Sequence, residues 1–236
     1  MGVQESGSSR AVKGTDVYSF LWRGITTGRY APRQRLSERE LADELKGSRT
    51  PVREALRLLI QDGLVTHEPR MGYRVIQISE DLVRNIMEIR EVLECLAARL
   101  ASRCHSPSIA TAMEKTIEQG RRSHDEGQLS GLITANQQFH SLLVEGSKNS
   151  FLVSMYRTLQ AYIGLMMSVS LSWPRRPAKT LEEHKEIIEA LKGGNPRKAE
   201  KVVRIHIRKA SRGVLRNVKQ YVRQDMGEIR THTRFT

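Results

Sequence analysis

Three arginines recur at four-residue intervals in the segment SRTPVREALRLL, at Arg49, Arg53 and Arg57. Residues four apart lie on one face of a helix, and Ser48 and Pro51 suit its N-cap and its first turn. Arginine binds phosphate oxygens and the guanine edge in a major groove. The opposite face is apolar and consists of Val52, Ala55, Leu56, Leu59 and Ile60. The pattern predicts a helix that packs by one side and presents guanidinium groups to nucleic acid or to solvent.

Three histidines occupy apolar stripes of further predicted helices. His140 follows Asn136 by one helical turn, and His184 and His206 each lie among aliphatic residues at helical spacing. A buried imidazole without a partner is costly, so each one is either satisfied within the core or shares a metal ion with the others. The pattern predicts a divalent metal site, with the carbonyl of Asn136 as an oxygen ligand. Zinc is the first choice, with nickel and manganese also compatible.

Arg90 lies at the edge of the apolar stripe of another predicted helix. It follows Ile86 by four residues and precedes Leu93 by three. A buried guanidinium requires an anionic partner, which it can bind in a bidentate manner. Arg90 is therefore a candidate anchor for an anionic ligand, and a salt bridge to Glu94, four residues later, is the alternative.

The segments around the arginine helix predict a winged helix-turn-helix. Ser37 and Glu40 have the spacing of a capping box, which predicts a short helix before the arginine helix. Gly47 is predicted to form the break between the two helices, and Gly63 to end the second. The predicted elements are helices over 17–25 and 37–46, the arginine helix, and two wing strands over 64–66 and 73–76, which flank the turn HEPRMG.

The chain from about Tyr18 to Ile76 resembles the DNA-binding domain of the GntR family of bacterial transcription regulators. The strings LSERELADEL, SRTPVREALRLL and DGLV carry this resemblance, and Lys46-Gly47 departs from the Gly-Val common in the family. The resemblance implies binding to a double-stranded DNA operator. The residues that it implies for DNA contact are Arg39, Ser48, Arg49, Thr50 and Arg53, with Arg70 and Gly72 in the wing.

Residues after the wing show only helical periods, which predicts an all-α bundle of six to seven helices and a mainly α fold. The stripe of its first helix is Leu82, Ile86, Ile89, Leu93, Leu96, Ala97 and Leu100, and further helices are predicted over 107–122, 128–145, 149–171, 180–192 and 196–222. Thr180 and Glu183 have the spacing of a capping box. The predicted organisation is a tail (1–14), the winged domain (15–78), an effector-binding and dimerisation domain (79–222) and a basic tail (223–236).

The helical part resembles the FCD-type effector-binding domain of the FadR-like branch of the GntR family. The strings NQQFH, EEHKEIIEALKGGN and RIH carry the resemblance. Metal-binding members use an aspartate and three histidines, which correspond here to Asn136, His140, His184 and His206. The amide at Asn136 brings no charge, so we expect weaker metal binding and an ion that favours an anionic ligand. The resemblance implies a small carboxylate effector, and Arg90 is our candidate to bind it.

Composition and cysteine spacing limit the remaining possibilities. The formal charge of +13 predicts a polyanionic partner, although the basic stretch 197–219 can be either a DNA contact or a solvated face. Cys95 and Cys104 lie on opposite faces of one predicted helix and cannot pair with each other. The sequence has no leader pattern and no run that spans a bilayer, so we expect a cytoplasmic protein without a membrane partner.

Two classes of function fit these residues. The first is a ligand-responsive repressor that binds a palindromic operator as a homodimer and is released by its ligand. The second is a metal-dependent hydrolase in which His140, His184 and His206 surround an ion that carries water. The hydrolase hypothesis lacks a general base near the ligands and leaves the arginine helix unexplained. The sequence therefore favours the regulator, which is not an enzyme.

Overall fold

The computed structural model describes residues 14–104, 106–172 and 176–232, and describes side chains as far as residue 219. The described chain forms two compact units. The first ends at Ile76 and leaves out the short segment Thr26–Arg29, which belongs to the second unit together with the chain from Gln77 onward. Of the predicted tail 1–14, residues 1–13 lie outside the described residues, and Gly14 is the first residue of a helix.

The first unit has the order of elements of a winged helix-turn-helix. Its elements are α1 (Gly14–Thr26), β1 (Arg35–Leu36), α2 (Glu38–Glu44), α3 (Arg49–Gln61), β2 (Val65–Glu68) and β3 (Gly72–Val75). The strands form an antiparallel sheet in the order β1-β3-β2, with Val65 opposite Val75 and Leu36 opposite Tyr73. The two wing strands lie within two residues of their predicted bounds. The sequence did not predict β1, because a two-residue strand is too short to show an alternating pattern.

Helix α3 packs by the apolar face predicted for it. Val52, Leu56 and Leu59 are almost completely buried, with at most 1% of their surface exposed. Ser48 occupies the N-cap position with an extended backbone, although its side chain makes no capping hydrogen bond. In α2, the Glu40 N–H donates to Ser37 Oγ at 3.4 Å, which is one half of the predicted capping box.

The break between α2 and α3 differs from the prediction. Lys46, and not Gly47, has the left-handed backbone, with φ of 50°. The N–H of Gly47 donates to the Ala42 carbonyl at 2.9 Å, which closes the end of α2. A left-handed conformation costs a residue with a Cβ about 1 kcal/mol or more, which is why glycine is common at such positions. Lys46 is the position where the resembled family commonly has its glycine.

The second unit contains helices and no strand among its described residues, which agrees with the predicted bundle of six to seven helices. The helices are α4 (Glu80–Cys104), α5 (Pro107–Asp125), α6 (Leu129–Glu145), α7 (Ser150–Leu171), α8 (Arg176–Lys192) and α9 (Pro196–His232). α4 packs along α9, and α5 packs along α6. Asn149 caps α7 by accepting a hydrogen bond from the Leu152 N–H at 3.1 Å. None of the described helices is both long and apolar enough to cross a membrane.

Three predictions about the bundle were wrong. Thr180 lies inside α8 and its hydroxyl donates to the Arg176 carbonyl at 3.0 Å, so it does not cap the helix. Helix α9 continues to His232, past its predicted end at 222 and into the segment expected to be a basic tail. Ile89, assigned to the apolar stripe of α4, is 48% exposed, whereas Arg90 and Glu94 are completely buried.

Candidate nucleic-acid interface and metal centre

The residues predicted to contact DNA lie on the outer surface of the first unit. Arg49 and Thr50 begin α3 and are exposed, on the side opposite its buried residues, and Arg39 is exposed on α2. Ser48, at the N-cap of α3, is also exposed. The basic face of α3 is therefore free of packing contacts with the core of this unit and is available to a partner.

Arg53 is held by a carboxylate of the neighbouring helix. Its Nε and Nη2 atoms donate to the two carboxylate oxygens of Glu38 at 2.9 and 2.8 Å. The hydrogen bond from Arg53 lowers the pKa of Glu38, and the charge of Arg49 contributes in the same direction. Because the Arg53 side chain is 52% exposed, this pair contributes little to stability. Its effect is to orient the guanidinium at the surface.

The wing turn contains two residues with a left-handed backbone. Arg70 has φ of 68° and Gly72 has φ of 81°. A Cβ added at Gly72 would meet no atom within 4 Å, so glycine suits this position because of its positive φ and not because of a close contact. The rings of His67 and Tyr73, which are opposite each other on β2 and β3, lie 4.6 Å apart. The structure thus places the predicted Arg70 and Gly72 at the exposed end of an ordered hairpin.

In the second unit, three helices bring the predicted histidines together. His140 comes from α6, His184 from α8 and His206 from α9, and each is at most 3% exposed. One nitrogen of each ring lies within 4.8 Å of the others. The Nε2 atoms of His140 and His206 are 3.4 Å apart. The three imidazoles therefore form one buried cluster.

Two buried carboxylates hold the outer nitrogens of this cluster. Glu94 Oε2 lies 2.7 Å from His140 Nδ1, and Glu183 Oε2 lies 2.7 Å from His206 Nδ1. Burial opposes the charge of Glu94, but Arg90 and His140 outweigh it and lower its pKa to about 2. Burial also opposes the charge of Glu183, which hydrogen bonds from His206 and Arg176 overcome, so that its pKa is about 2. Both groups are thus carboxylates at neutral pH.

The protonation of the imidazoles follows from these carboxylates. Burial lowers the pKa of His140 to about 4 and also lowers the pKa of His206, so both rings are neutral at pH 7. A carboxylate can only accept a hydrogen bond, so a neutral ring carries its proton on the nitrogen that faces the carboxylate, which is Nδ1 in both His140 and His206. The Nε2 atoms of His140 and His206 then both present lone pairs, which cannot hydrogen bond to each other across 3.4 Å.

Two further polar atoms at this place lack a protein partner. His184 Nε2 and Asn136 Nδ2 are buried and make no hydrogen bond with the described residues. The His184 ring stacks on Phe139 with centroids 3.7 Å apart and planes 1° apart, which fixes its orientation. Asn136 is buried one helical turn before His140. Converging imidazole lone pairs are suitable ligands for a divalent cation, whereas Nδ2 of Asn136 is a hydrogen-bond donor, so that this residue could ligate an ion only through its amide oxygen.

Arg90 is fully buried and forms the salt bridge given above as the alternative to ligand binding. Its Nε donates to Glu94 Oε1 at 2.6 Å, and the Tyr156 hydroxyl donates to the same oxygen at 3.2 Å. Burial disfavours the charged guanidinium, but Glu94 outweighs it and raises the pKa of Arg90. Arg90 Nη2 is buried and makes no hydrogen bond with any described residue. Tyr156 also favours the charged guanidinium, so Arg90 is held by Glu94 and Tyr156, and Nη2 is its one nitrogen without a hydrogen bond to a described residue.

Two family models match this chain, and together they cover both units. The model of "Bacterial regulatory proteins, gntR family" matches residues 13–75, and the FCD domain model matches residues 85–209. The FCD match alone spans more than half of the chain. The chain belongs to the GntR family.

Relatives and a solved structure agree with this membership. The regulator YdhC of Bacillus subtilis (strain 168) is 32% identical over 80% of this chain and 85% of its own length. The transcriptional repressor RspR of Escherichia coli (strain K12) is 29% identical over 86% of this chain and 89% of its own. A GntR regulator from Rhodococcus sp. RHA1 has a TM-score of 0.73 at 25% identity, with 86% of this chain and 97% of that chain covered. This GntR-family chain is a DNA-binding transcriptional regulator.

Sequence reasoning missed the roles of two carboxylates in this GntR-family site. The sequence predicts a helix cap for Glu183 and only a salt bridge with Arg90 for Glu94. Glu183 is next to His184 in the chain but contacts His206, which is 23 residues away. Glu94 and His140 are 46 residues apart. No local spacing relates these pairs, so only the packing of the helices identifies them.

Proposed function

We propose that this protein is a ligand-responsive repressor that binds a palindromic operator as a homodimer and senses a small carboxylate at a divalent metal ion. The ion would be held by His140, His184 and His206, with the amide oxygen of Asn136 as a further ligand. The observation that carries this proposal is the convergence of three buried imidazoles, in which the Nε2 atoms of His140 and His206 lie 3.4 Å apart and Nε2 of His184 makes no hydrogen bond with a described residue. A cation between them would remove their repulsion and give His184 Nε2 a partner.

The carboxylates behind the histidines support the same proposal. A histidine that ligates a metal usually donates its other N–H to a carboxylate or carbonyl, which fixes the tautomer and increases the basicity of the ring. Glu94 provides this partner for His140, and Glu183 provides it for His206. A bound ion supplies a positive centre that attracts the carboxylate of an effector.

The charges around the cluster indicate where that effector would bind. Glu94 and Glu183 are already paired with Arg90 and Arg176, so the charge of a divalent ion would remain uncompensated and would favour an anion. Arg90 Nη2 is the buried donor without a partner, and it is the atom that an effector carboxylate would accept from. Binding there would bias the relative population of two conformations with different operator affinity. RspR, a relative of this chain, is a transcriptional repressor, which supports a repressor here.

The metal proposal is tested by elemental analysis and zinc titration of protein purified without chelator. We expect close to one ion per chain, loss of the ion in His184→Ala, and tighter binding in Asn136→Asp because a carboxylate adds charge to the ligand set. The control is His67→Ala, which removes an exposed histidine of the wing. Absence of metal together with no thermal shift on adding zinc, nickel or manganese would show that the histidines are structural.

The DNA proposal is tested with an operator selected from the regulator's genomic neighbourhood. Arg49→Ala and Arg53→Ala should each weaken operator binding by about 1–3 kcal/mol if they contact bases. The control is Arg84→Ala, which removes an exposed arginine of the second unit, from α4. Wild-type operator affinity in both α3 variants would refute the assignment of α3 as the recognition helix.

The effector proposal is tested by titrating small carboxylates into the protein–operator complex. We expect one class of carboxylate to lower operator affinity in wild type, and neither His184→Ala nor Arg90→Met to respond. Turnover of a substrate that requires the metal, without any change in operator affinity, would instead favour the hydrolase. A normal ligand response in Arg90→Met would show that this arginine is only structural.

A further inference from the structure

The second unit contains an open cleft that the proposed sensing site does not use. It has a volume of about 1170 Å³ and is bordered by α5, α7, α8 and α9. Ser170, Asn217 and Gly213 line it, and the first two are buried. Glu183 lies between the cleft and the histidine cluster. Its Oε2 atom contacts His206, and Arg176, which lines the cleft, donates to both of its carboxylate oxygens.

Four cations line this cleft without an ion pair to any described residue. They come from three helices: Arg121 from α5, Lys179 from α8, and Arg212 and Arg216 from α9. Arg212 and Arg216 are one helical turn apart on the same face, where like charges destabilise a helix by a few tenths of a kcal/mol. Some other basic residues of α9 are paired; for example, Arg208 donates to Glu91 at 2.9 Å. Others, such as Lys201, are exposed outside the cleft. What distinguishes the cleft is that it is lined by four cations, from three helices, that make no ion pair with a described residue.

We propose that this cleft is a second ligand site, for a small anion that carries two or more negative charges, of the polycarboxylate or phosphate type. Cations from three helices can surround a compact multivalent anion, and guanidinium groups match the geometry of both carboxylate and phosphate. Carboxylates also line the cleft, at Asp125, Glu182 and Glu186. An extended nucleic-acid backbone would run past these carboxylates, whereas a compact anion can lie against the cations alone, so the concave shape and mixed charge favour a small ligand.

The test is isothermal titration of the full-length protein with citrate and with pyrophosphate, after treatment with chelator and dialysis. Removal of metal makes the result independent of the proposed metal centre, so failure of that proposal would not alter this one. We expect both multivalent anions to bind at least tenfold more tightly than acetate. The anion that binds more tightly identifies the carboxylate or the phosphate source of the ligand.

Two double variants with the same charge locate the binding. Arg212→Gln/Arg216→Gln should lower the affinity at least tenfold, whereas Lys201→Gln/Arg208→Gln should change it less than twofold. The second pair removes two exposed charges of α9 from outside the cleft. Gly213→Leu, which fills the cleft without changing its charge, should also weaken binding. No binding of either anion, or equal losses in both doubles, would overturn the proposal.

Discussion

Glu94→Gln is the substitution whose effect the structure specifies most closely. Glu94 has no exposed surface and is the shared partner of Arg90, His140 and Tyr156. Its pKa falls from 4.5 to about 2, a shift that corresponds to about 3 kcal/mol of stabilisation of the charged form at 1.36 kcal/mol per pH unit. Breaking a buried ion pair by removing one partner costs about 3–5 kcal/mol, which agrees with that figure.

The assay is urea unfolding of the metal-free protein at pH 7, monitored by the helical signal in circular dichroism. We expect Glu94→Gln and Arg90→Met each to lower the free energy of unfolding by about 3–5 kcal/mol, because each leaves one buried charge unpaired. The double variant removes both charges and should lose much less than the sum of the two single losses. Stability of Glu94→Gln equal to wild type, or strictly additive losses, would refute the role of the ion pair.

The same group predicts part of the acid response. The folded pKa of Glu94 is lower than its unfolded pKa, so its contribution is fully present above pH 4.5 and is lost as the pH falls towards 2. Glu94→Gln lacks this contribution at every pH. The difference in unfolding free energy between wild type and variant should therefore shrink as the pH is lowered through this range, and a constant difference would contradict the assigned pKa.

Three further predictions concern other parts of the molecule. Lys46→Gly should raise the stability of the first unit by up to about 1 kcal/mol in thermal unfolding, because φ at Lys46 is 50°, and a lower melting temperature would contradict this. At pH 8, Cys104 should react with a thiol reagent and Cys95 should not, because Cys95 is 3% exposed and burial raises its pKa to about 12. The Cys104→Ser variant keeps only Cys95, so rapid labelling of this variant would contradict the prediction. Glu38→Gln should strengthen binding to unrelated DNA and steepen the salt dependence of that binding, because the substitution frees Arg53 and removes a negative charge from the surface proposed to face DNA. Unchanged binding would argue against the assignment of this surface to DNA contact.

Elements defined by local patterns were predictable from the sequence. The arginine helix is one example, because the spacing of its apolar residues and the position of Pro51 are properties of the helix itself. The bundle helices α5 to α7 were also predicted within about three residues at each end. Features with weak local signals were not predictable. β1 is two residues long, and the left-handed Lys46 carries no residue type that marks the conformation.

The sequence by itself determined which residue types the site contains and which helix face each one occupies. His140, His184 and His206 are buried as their spacing predicted, because helical periodicity relates residues three or four positions apart. Only the tertiary structure decided their partners. Glu94 reaches His140 across 46 residues and Glu183 reaches His206 across 23, since the packing of whole helices brings these side chains together. For the same reason, Arg90 could be placed near the core from the sequence, but its geometry with Glu94 and its one free donor could not.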